Sequence, residues 1–252
     1  MSLLTAGMLR RFRDDGYIVL RGVVTDELLG DADQEIDNVE AGSTPPHEGT
    51  GEPGVNTCFL PPASLPAAHA VLRRSDAIDV AQELVAPNTL ELAFDHIQIS
   101  TTRPPWTHIP GGPHIDGHRP REPVGSFTLL LGVLLTDQTE SQSGNLWVWP
   151  GSHLAHSQLC HKRGVEVLTA SGGHSTWPEP LVELRPPEPI LGGRGDVVLA
   201  HYLLGHNKGG NTRPYDRRTL YYRLAVPGHR ARWSETLLDP WVEYPPVQAL
   251  PS

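Results

Sequence analysis

Two imidazoles and a carboxylate fall within five residues in Pro113-His114-Ile115-Asp116-Gly117-His118. In an extended chain, residues i and i+2 point to the same side. His114 and Asp116 therefore aim together, and Ile115 turns away. One ring nitrogen and one carboxylate oxygen placed side by side can share a divalent ion, and a third ligand has to come from elsewhere. Two histidines and one carboxylate form a facial triad that leaves open positions on an octahedral Fe(II). The candidates for the third ligand are His201 and His206, which follow the apolar run DVVLA in AHYLLGHNKGGN at 200–211. His118 makes an HxxxH pair with His114, a helical spacing. Pro113, Gly117 and Pro120 disfavour a helix here, so His118 reads as a loop residue beside the site. In a chain with 13 histidines an isolated HxD pair carries little weight by itself.

The elements that must position these residues can be read from periodicity and turn chemistry. Leu4, Met8, Leu9 and Phe12 share one side of a helix over 4–15, which Gly16 ends. YIVL at 17–20 reads as a strand, and Thr25 as the N-cap of a helix running to about 39. Residues 42–66, containing AGSTPPHEGTGEPG, are polar and rich in Gly and Pro. They predict one long loop, of the kind that closes over sites as a lid. Helical pieces are expected near 66–73 and 76–85. From 89 onward the pattern changes to strands: 90–101, the nearly continuous apolar run 126–136, 145–153 ending at Pro150-Gly151, 195–201 and 219–226. An uninterrupted apolar run implies a strand covered on both faces. Helices first and short strands later predict a mostly β fold, an antiparallel barrel or sandwich flanked by N-terminal helices.

Composition bounds the rest. The 252 residues suit one domain able to bury a core without disulfides. Gly and Pro number 25 each, in keeping with many turns and short strands. The net charge of −9, from 20 basic and 29 acidic residues, argues against a nucleic-acid or anionic-membrane partner. Cys58 and Cys160 are the two cysteines, with no CxxC, which suits a reducing cytoplasm. The N-terminal stretch has no apolar run of signal-peptide length, and no segment has the length of a membrane span.

Several segments, in order, resemble the phytanoyl-CoA dioxygenase family of Fe(II)- and 2-oxoglutarate-dependent oxygenases. FRDDGYIVLRGVVTDELL (12–29) resembles its opening helix, strand and helix. PHIDGH stands where the family carries its HxD motif. SGNLWVWPGSH (143–153) resembles its strand and Pro-Gly-Ser-His turn, and GDVVLAHYLLGHNKGGN (195–211) its segment ending in His-x-x-Gly-x-Asn. DRRTLYYRL follows where the family has an Arg on a strand. The likeness covers about residues 10–245.

The resemblance implies a double-stranded β-helix (jelly-roll, cupin-like) core over about 89–228, a helical N-terminal part over about 1–88 and a C-terminal extension to 252, all in one domain. It implies His114, Asp116 and His206 as iron ligands, since His206 is the histidine followed by x-x-Gly-x-Asn, with Gly209 and Asn211 in place. The family's 2-oxoglutarate-binding Arg lies about eleven residues further on, which lands on Arg217. Alternation puts Arg217 on one face with Thr219, Tyr221 and Arg223, and Arg218 on the other. The fork of an Arg suits a carboxylate, and the neighbour Arg218 stays open as the alternative. Gln98 and Thr101, on the strand leading to HxD, are further candidates to bind 2-oxoglutarate. Trp147 is a candidate wall of a substrate pocket, and Arg103 and His118 candidates to meet the substrate, with His108, Arg119 and Arg121 flanking.

The implied cofactors are Fe(II) and 2-oxoglutarate, with ascorbate as a supporting reductant in vitro. The implied partners are O2 and a small-molecule substrate. The implied reaction oxidises 2-oxoglutarate to succinate and CO2 while an unactivated substrate C–H bond is hydroxylated. Halogenating relatives lack the carboxylate that Asp116 supplies, so hydroxylation, desaturation or ring formation is implied instead. With Lys162 and Lys208 as the only lysines, the composition suggests a GC-rich bacterial source, and natural-product tailoring follows by analogy. Two other classes use similar residues: a zinc-dependent isomerase or hydrolase on the same barrel, and a metal-free binding protein.

Overall fold

The computed structural model describes residues 3–42, 54–117, 126–170 and 182–251. The chain opens with α1 (Ala6–Asp15), whose N-cap Thr5 accepts from the Met8 N–H and whose C-cap Gly16 is left-handed at φ 85°. β1 (Tyr17–Leu20) and α2 (Asp26–Gly42) follow, and α2 carries Asp26 and Glu27 in its first turn, where the helix dipole favours acids. β2 (Val55–Leu60) leads through a 3-10 turn to α3 (Pro66–Arg74) and α4 (Asp76–Val85). The remaining strands are β3 (Glu91–Leu92), β4 (Ile97–Thr102), β5 (Leu129–Leu134), β6 (Leu146–Val148), β7 (Glu188–Pro189), β8 (Val197–His201), β9 (His206–Lys208) and β10 (Arg217–Ala225). Helices α5 (Ser152–Arg163) and α6 (Glu166–Ala170) lie between β6 and β7, and α7 (Trp233–Leu238) and α8 (Pro245–Gln248) close the described chain.

Among the described residues, ten strands form two antiparallel sheets. The larger has the order β1-β8-β5-β10-β4-β2, with β3 also on β10; the smaller has the order β7-β6-β9. The large sheet is covered on both faces, which explains the unbroken apolar run of β5. Leu129, Leu131 and Val133 join Leu199, Leu220 and Tyr222 against Phe12, Leu29, Ile36, Val71 and Leu84 of the helices. The alternate residues Leu130, Val198, Ala200 and Tyr221 face the other way, towards Leu146 and Val148 of the small sheet. The functional side chains gather on this second face.

Three sequence expectations are corrected. Residues 42–66 are not one loop: Val55–Leu60 pairs with β4 along its whole length as the edge strand, Val55 opposite Thr102 and Leu60 opposite Ile97. The alternating VNTCFL was masked by the Gly- and Pro-rich stretch before it, and residues 43–53 lie outside the described residues, as does that part of the lid expectation. The strand expected over 145–153 stops at Val148, because Gly151 turns left-handed and Ser152 begins α5. The strand expected over 90–101 is broken between Leu92 and Ile97.

Three buried histidines belong to this framework. His153 Nε2 donates to the Arg13 carbonyl at 3.0 Å, His156 Nδ1 to Leu203 at 2.8 Å and His201 Nε2 to Pro240 at 2.8 Å. Burial lowers the pKa of His153 and His156 to about 4 and that of His201 well below its usual value. The folded protein keeps these rings neutral, whereas the unfolded chain protonates them near the ordinary value of about 6.5. Their contribution is complete above about pH 6.5 and is lost as pH falls from there towards about 4. We expect the unfolding free energy from urea titrations to drop across that window by up to about 1.4 kcal/mol per pH unit for each histidine. A flat profile between pH 6.5 and 4.5 would contradict this reading.

Candidate metal centre

His114 and His206 are joined by their backbones before their side chains meet. The His114 N–H donates to the His206 carbonyl at 2.9 Å, and the His206 N–H donates back at 3.0 Å. This isolated antiparallel bridge holds His114 against β9 and sets the two rings 4.5 Å apart between centroids. Asp116, two residues on from His114, comes to the same point. Its Oδ1 lies 3.7 Å from His114 Nε2 and 3.8 Å from His206 Nε2. One donor atom from each of the three residues lies within 4.8 Å of the others, a set that could hold a metal ion. His206 Nδ1 donates to the Leu204 carbonyl at 2.9 Å, so the proton sits on that nitrogen and Nε2 keeps its lone pair for a metal.

Asp116 is buried, which by itself would raise its pKa. The Arg223 guanidinium outweighs burial and holds the carboxyl well below the usual carboxylate range. Arg223 Nε donates to Asp116 Oδ2 at 3.0 Å, Arg223 Nη2 donates to the same oxygen, and Nη1 donates to Gln98 Oε1 at 2.8 Å.

The three residues line a cleft of about 510 Å³, part of it open to solvent, between the two sheets. The large sheet contributes Thr57, Gln98, Ser100, Leu130, Arg217, Tyr221 and Arg223; the small sheet contributes Leu146, Asn207 and Lys208 beside His206. Arg217 is only 1% exposed. Its donors reach Ser100 Oγ at 2.9 Å, the Tyr221 hydroxyl at 3.1 Å and Gln138 Oε1 at 3.4 Å. Among the described residues no carboxylate pairs with it. A buried guanidinium satisfied only by neutral groups leaves its charge available to an anion entering the cleft.

Strand alternation sorts the other candidates. Arg218 points to the opposite face, where it meets Asp37 at 2.7 Å and Glu40 at 3.0 Å. Thr101, opposite Arg218 in the register, points the same way and donates to Glu40 Oε1 at 2.9 Å; it does not line the cleft. Ser100, one residue earlier, takes the inward position instead. Arg103 also turns to Glu40, at 3.2 Å, and to Asp216, so it does not face the cleft. Trp147 is corrected likewise. Leu146 lines the cleft, while Trp147 packs over Gly209, where an added Cβ would come 2.3 Å from the indole nitrogen. His201, the alternative to His206, is buried with Nδ1 accepting from the Leu203 N–H at 3.1 Å, away from the cluster. His108 stacks on Trp106. His118, Arg119 and Arg121 lie outside the described residues.

Sequence reasoning passed over Arg223 as a site residue, together with Ser100, Asn207 and Lys208. The signal was present in the alternation: Arg223 shares a face with Arg217, Ser100 with Gln98, and Lys208 with His206.

The model of the phytanoyl-CoA dioxygenase family matches residues 12–219. No curated protein matches the sequence. Among solved structures, the chain is similar to the non-heme α-ketoglutarate-dependent epimerase SnoN from nogalamycin biosynthesis, with TM-score 0.65, 17% identity, and 87% of this chain and 81% of that one covered. It is similar to the α-ketoglutarate-dependent carbocyclase SnoK from the same biosynthesis, with TM-score 0.63, 19% identity and 91% of each chain covered. It is also similar to HygX from Streptomyces hygroscopicus with nickel and 2-oxoglutarate bound, with TM-score 0.58, 18% identity, and 89% and 88% covered. At these identities the shared feature is the fold, an antiparallel-sheet scaffold with flanking helices.

The cradle of Arg217 yields a test. Gly144 has φ 74°, and a Cβ there would lie 2.7 Å from Arg217 Cβ and 2.9 Å from its Cγ. Gly144→Ala should therefore lose about 1–3 kcal/mol of stability in chemical denaturation, from overpacking and left-handed strain together. Wild-type stability in this variant would show that the Arg217 stem is not held against the turn.

Proposed function

The chain belongs to the phytanoyl-CoA dioxygenase family, and on that premise we propose that it is an Fe(II)- and 2-oxoglutarate-dependent oxygenase that hydroxylates a C–H bond of a small molecule. The observation that carries this reading is a pairing within one cleft. Two imidazole nitrogens and a carboxylate oxygen converge at one place, and a buried arginine with no carboxylate partner among the described residues lines the same space. The donor set suits Fe(II), and the arginine suits the far carboxylate of 2-oxoglutarate. A zinc isomerase or hydrolase would use the same three ligands but would leave Arg217 facing no anion. A metal-free binding protein would have no need of the convergence.

In this reading the two sheets are the walls of a double-stranded β-helix, in one domain with the helices. His114, Asp116 and His206 would hold the metal. Fe(II) bound there would supply the oxidising chemistry by which 2-oxoglutarate and O2 give succinate, CO2 and a hydroxylated substrate. The chain's own part is to bind, orient and exclude water. Arg217, steadied by Ser100 and Tyr221, takes the far carboxylate. Leu130 and Leu146 line the cleft with apolar surface, and Asn207 is fixed by donating to the Gly112 carbonyl at 2.8 Å. The substrate is then placed beside the metal by the remaining walls, so that one C–H bond is presented. The similarity to SnoN and SnoK, an epimerase and a carbocyclase of one natural-product pathway, supports a natural-product substrate. Cytoplasmic residence accords with two buried, free cysteines.

The direct test is succinate release from 2-oxoglutarate with Fe(II) and ascorbate. His114→Ala, Asp116→Ala and His206→Ala should each abolish turnover and iron binding in titration. His201→Ala should bind iron as wild type does while losing stability, since its ring holds two backbone groups. Iron binding that survives His206→Ala but not His201→Ala would reverse the assignment.

Arg217 separates this reading from other uses of the triad. Loss of a hydrogen bond to a charged group costs about 1.5–3 kcal/mol, or roughly 10- to 150-fold in affinity. Arg217→Ala should raise the KM for 2-oxoglutarate by about that factor and leave iron affinity near wild type. Arg217→Lys should recover only part of the loss, because an ammonium cannot pair with both oxygens. Arg218→Ala should leave the KM unchanged. A normal KM in Arg217→Ala would remove the main support for 2-oxoglutarate.

A further inference from the structure

The charge of Arg223 is already spent on another residue of the cleft, Asp116. Both Nε and Nη2 converge on a single oxygen of Asp116, Oδ2, rather than one on each oxygen. The other oxygen, Oδ1, is the one that faces the two imidazoles. Arg223 itself has little freedom. Nη1 is tied to Gln98 Oε1 at 2.8 Å, and the guanidinium lies 5.6 Å from the Phe59 ring centroid and 5.7 Å from that of Phe127. Two aromatic rings and an amide thus hold the guanidinium, and the guanidinium holds the carboxylate.

Resting on the metal-centre reading above, we propose that Arg223 is a positioning residue that makes Asp116 a one-oxygen ligand. Oδ2, engaged by two N–H groups, is not free to swing onto the metal. A carboxylate that bound through both oxygens would occupy a position the co-substrate or O2 has to take. Two effects of Arg223 oppose one another. Its positive charge repels a divalent ion, which would weaken metal binding. Its grip orients the ligand in advance, which strengthens it. The Asp116 oxygen it touches largely neutralises the charge, whereas the orientation is lost in full when the side chain is removed, so orientation prevails.

The test is Co(II) titration of the metal-free protein, read by visible absorption, for wild type, Arg223→Ala, Arg223→Lys and Gln98→Ala. Loss of a group that orients a ligand typically costs about 10- to 100-fold in metal affinity. We expect Arg223→Ala to weaken Co(II) binding by that factor and to alter the Co(II) spectrum. Arg223→Lys should recover part, because it keeps the charge but not the converging donors. Gln98→Ala, which removes only the brace, should move affinity in the same direction by less. Equal or tighter Co(II) binding in Arg223→Ala, or full recovery in Arg223→Lys, would show that Arg223 only neutralises charge and would overturn the proposal. Should Arg223→Ala fail to fold, Arg223→Lys and Gln98→Ala decide by the same criteria. Absence of Co(II) binding in the wild type would defeat the metal-centre reading itself, whereas wild-type binding with unaltered variants would defeat only the role of Arg223.

Discussion

The reciprocal pair of backbone hydrogen bonds between His114 and His206 is the constraint on which the site depends. It clamps a segment rich in Pro and Gly to a three-residue strand of the small sheet, across more than ninety residues of sequence. Once those two backbones are paired, the rings have to be neighbours, and the i+2 geometry carries Asp116 to the same point. The side chains alone would not gather this way, since two imidazoles and a carboxylate gain little from one another without an ion. The backbone bridge does the gathering, and the side chains inherit it.

The second organising feature is the alternation of β10. Arg217, Tyr221 and Arg223 face the cleft, while Arg218 crosses to the helix side and joins an acidic group on α2. Two adjacent arginines thus differ wholly in role. Glu40 is the focus on the helix side: Thr101, Arg103 and Arg218 all bond to it, and it draws them away from the cleft. Inside the cleft, Arg217 and Arg223 are both held rigidly but differ in what remains to be satisfied. Arg223 faces a carboxylate, and among the described residues Arg217 faces only neutral groups. A site with one open charge and one closed charge would bind a charged ligand in a defined orientation.

Much of the framework was legible because the physics was local. α1, β1, α3 and α4 lie where the sequence reading expected them, and the stop read at Gly16 acts locally, its N–H bonding back to Phe12 four residues away. β5 was legible as a doubly covered strand because both of its faces are apolar. Where neighbouring signals competed, the stronger one misled. The Gly- and Pro-rich stretch before residue 54 hid the edge strand β2, and the turn read at Pro150-Gly151 did not reveal that a helix begins at Ser152. Thr101 was placed on the wrong face, because choosing which parity of β4 points inward requires knowing what lies on each side.

What the sequence by itself determined was the chemistry available: an HxD pair, a histidine followed by x-x-Gly-x-Asn, and arginines on a strand, in an order that resembles one family. It also determined that neighbours on a strand take opposite faces. Only the tertiary structure decided which face was which, that Glu40 of α2 claims Thr101 and Arg218, that His201 is used up in holding backbone groups, and that Arg223 closes on one oxygen of Asp116. The reason is physical. Alternation and capping act between residues close in sequence, whereas the partner of a buried charge is fixed by whichever distant segment the packed sheets bring within about 3 Å.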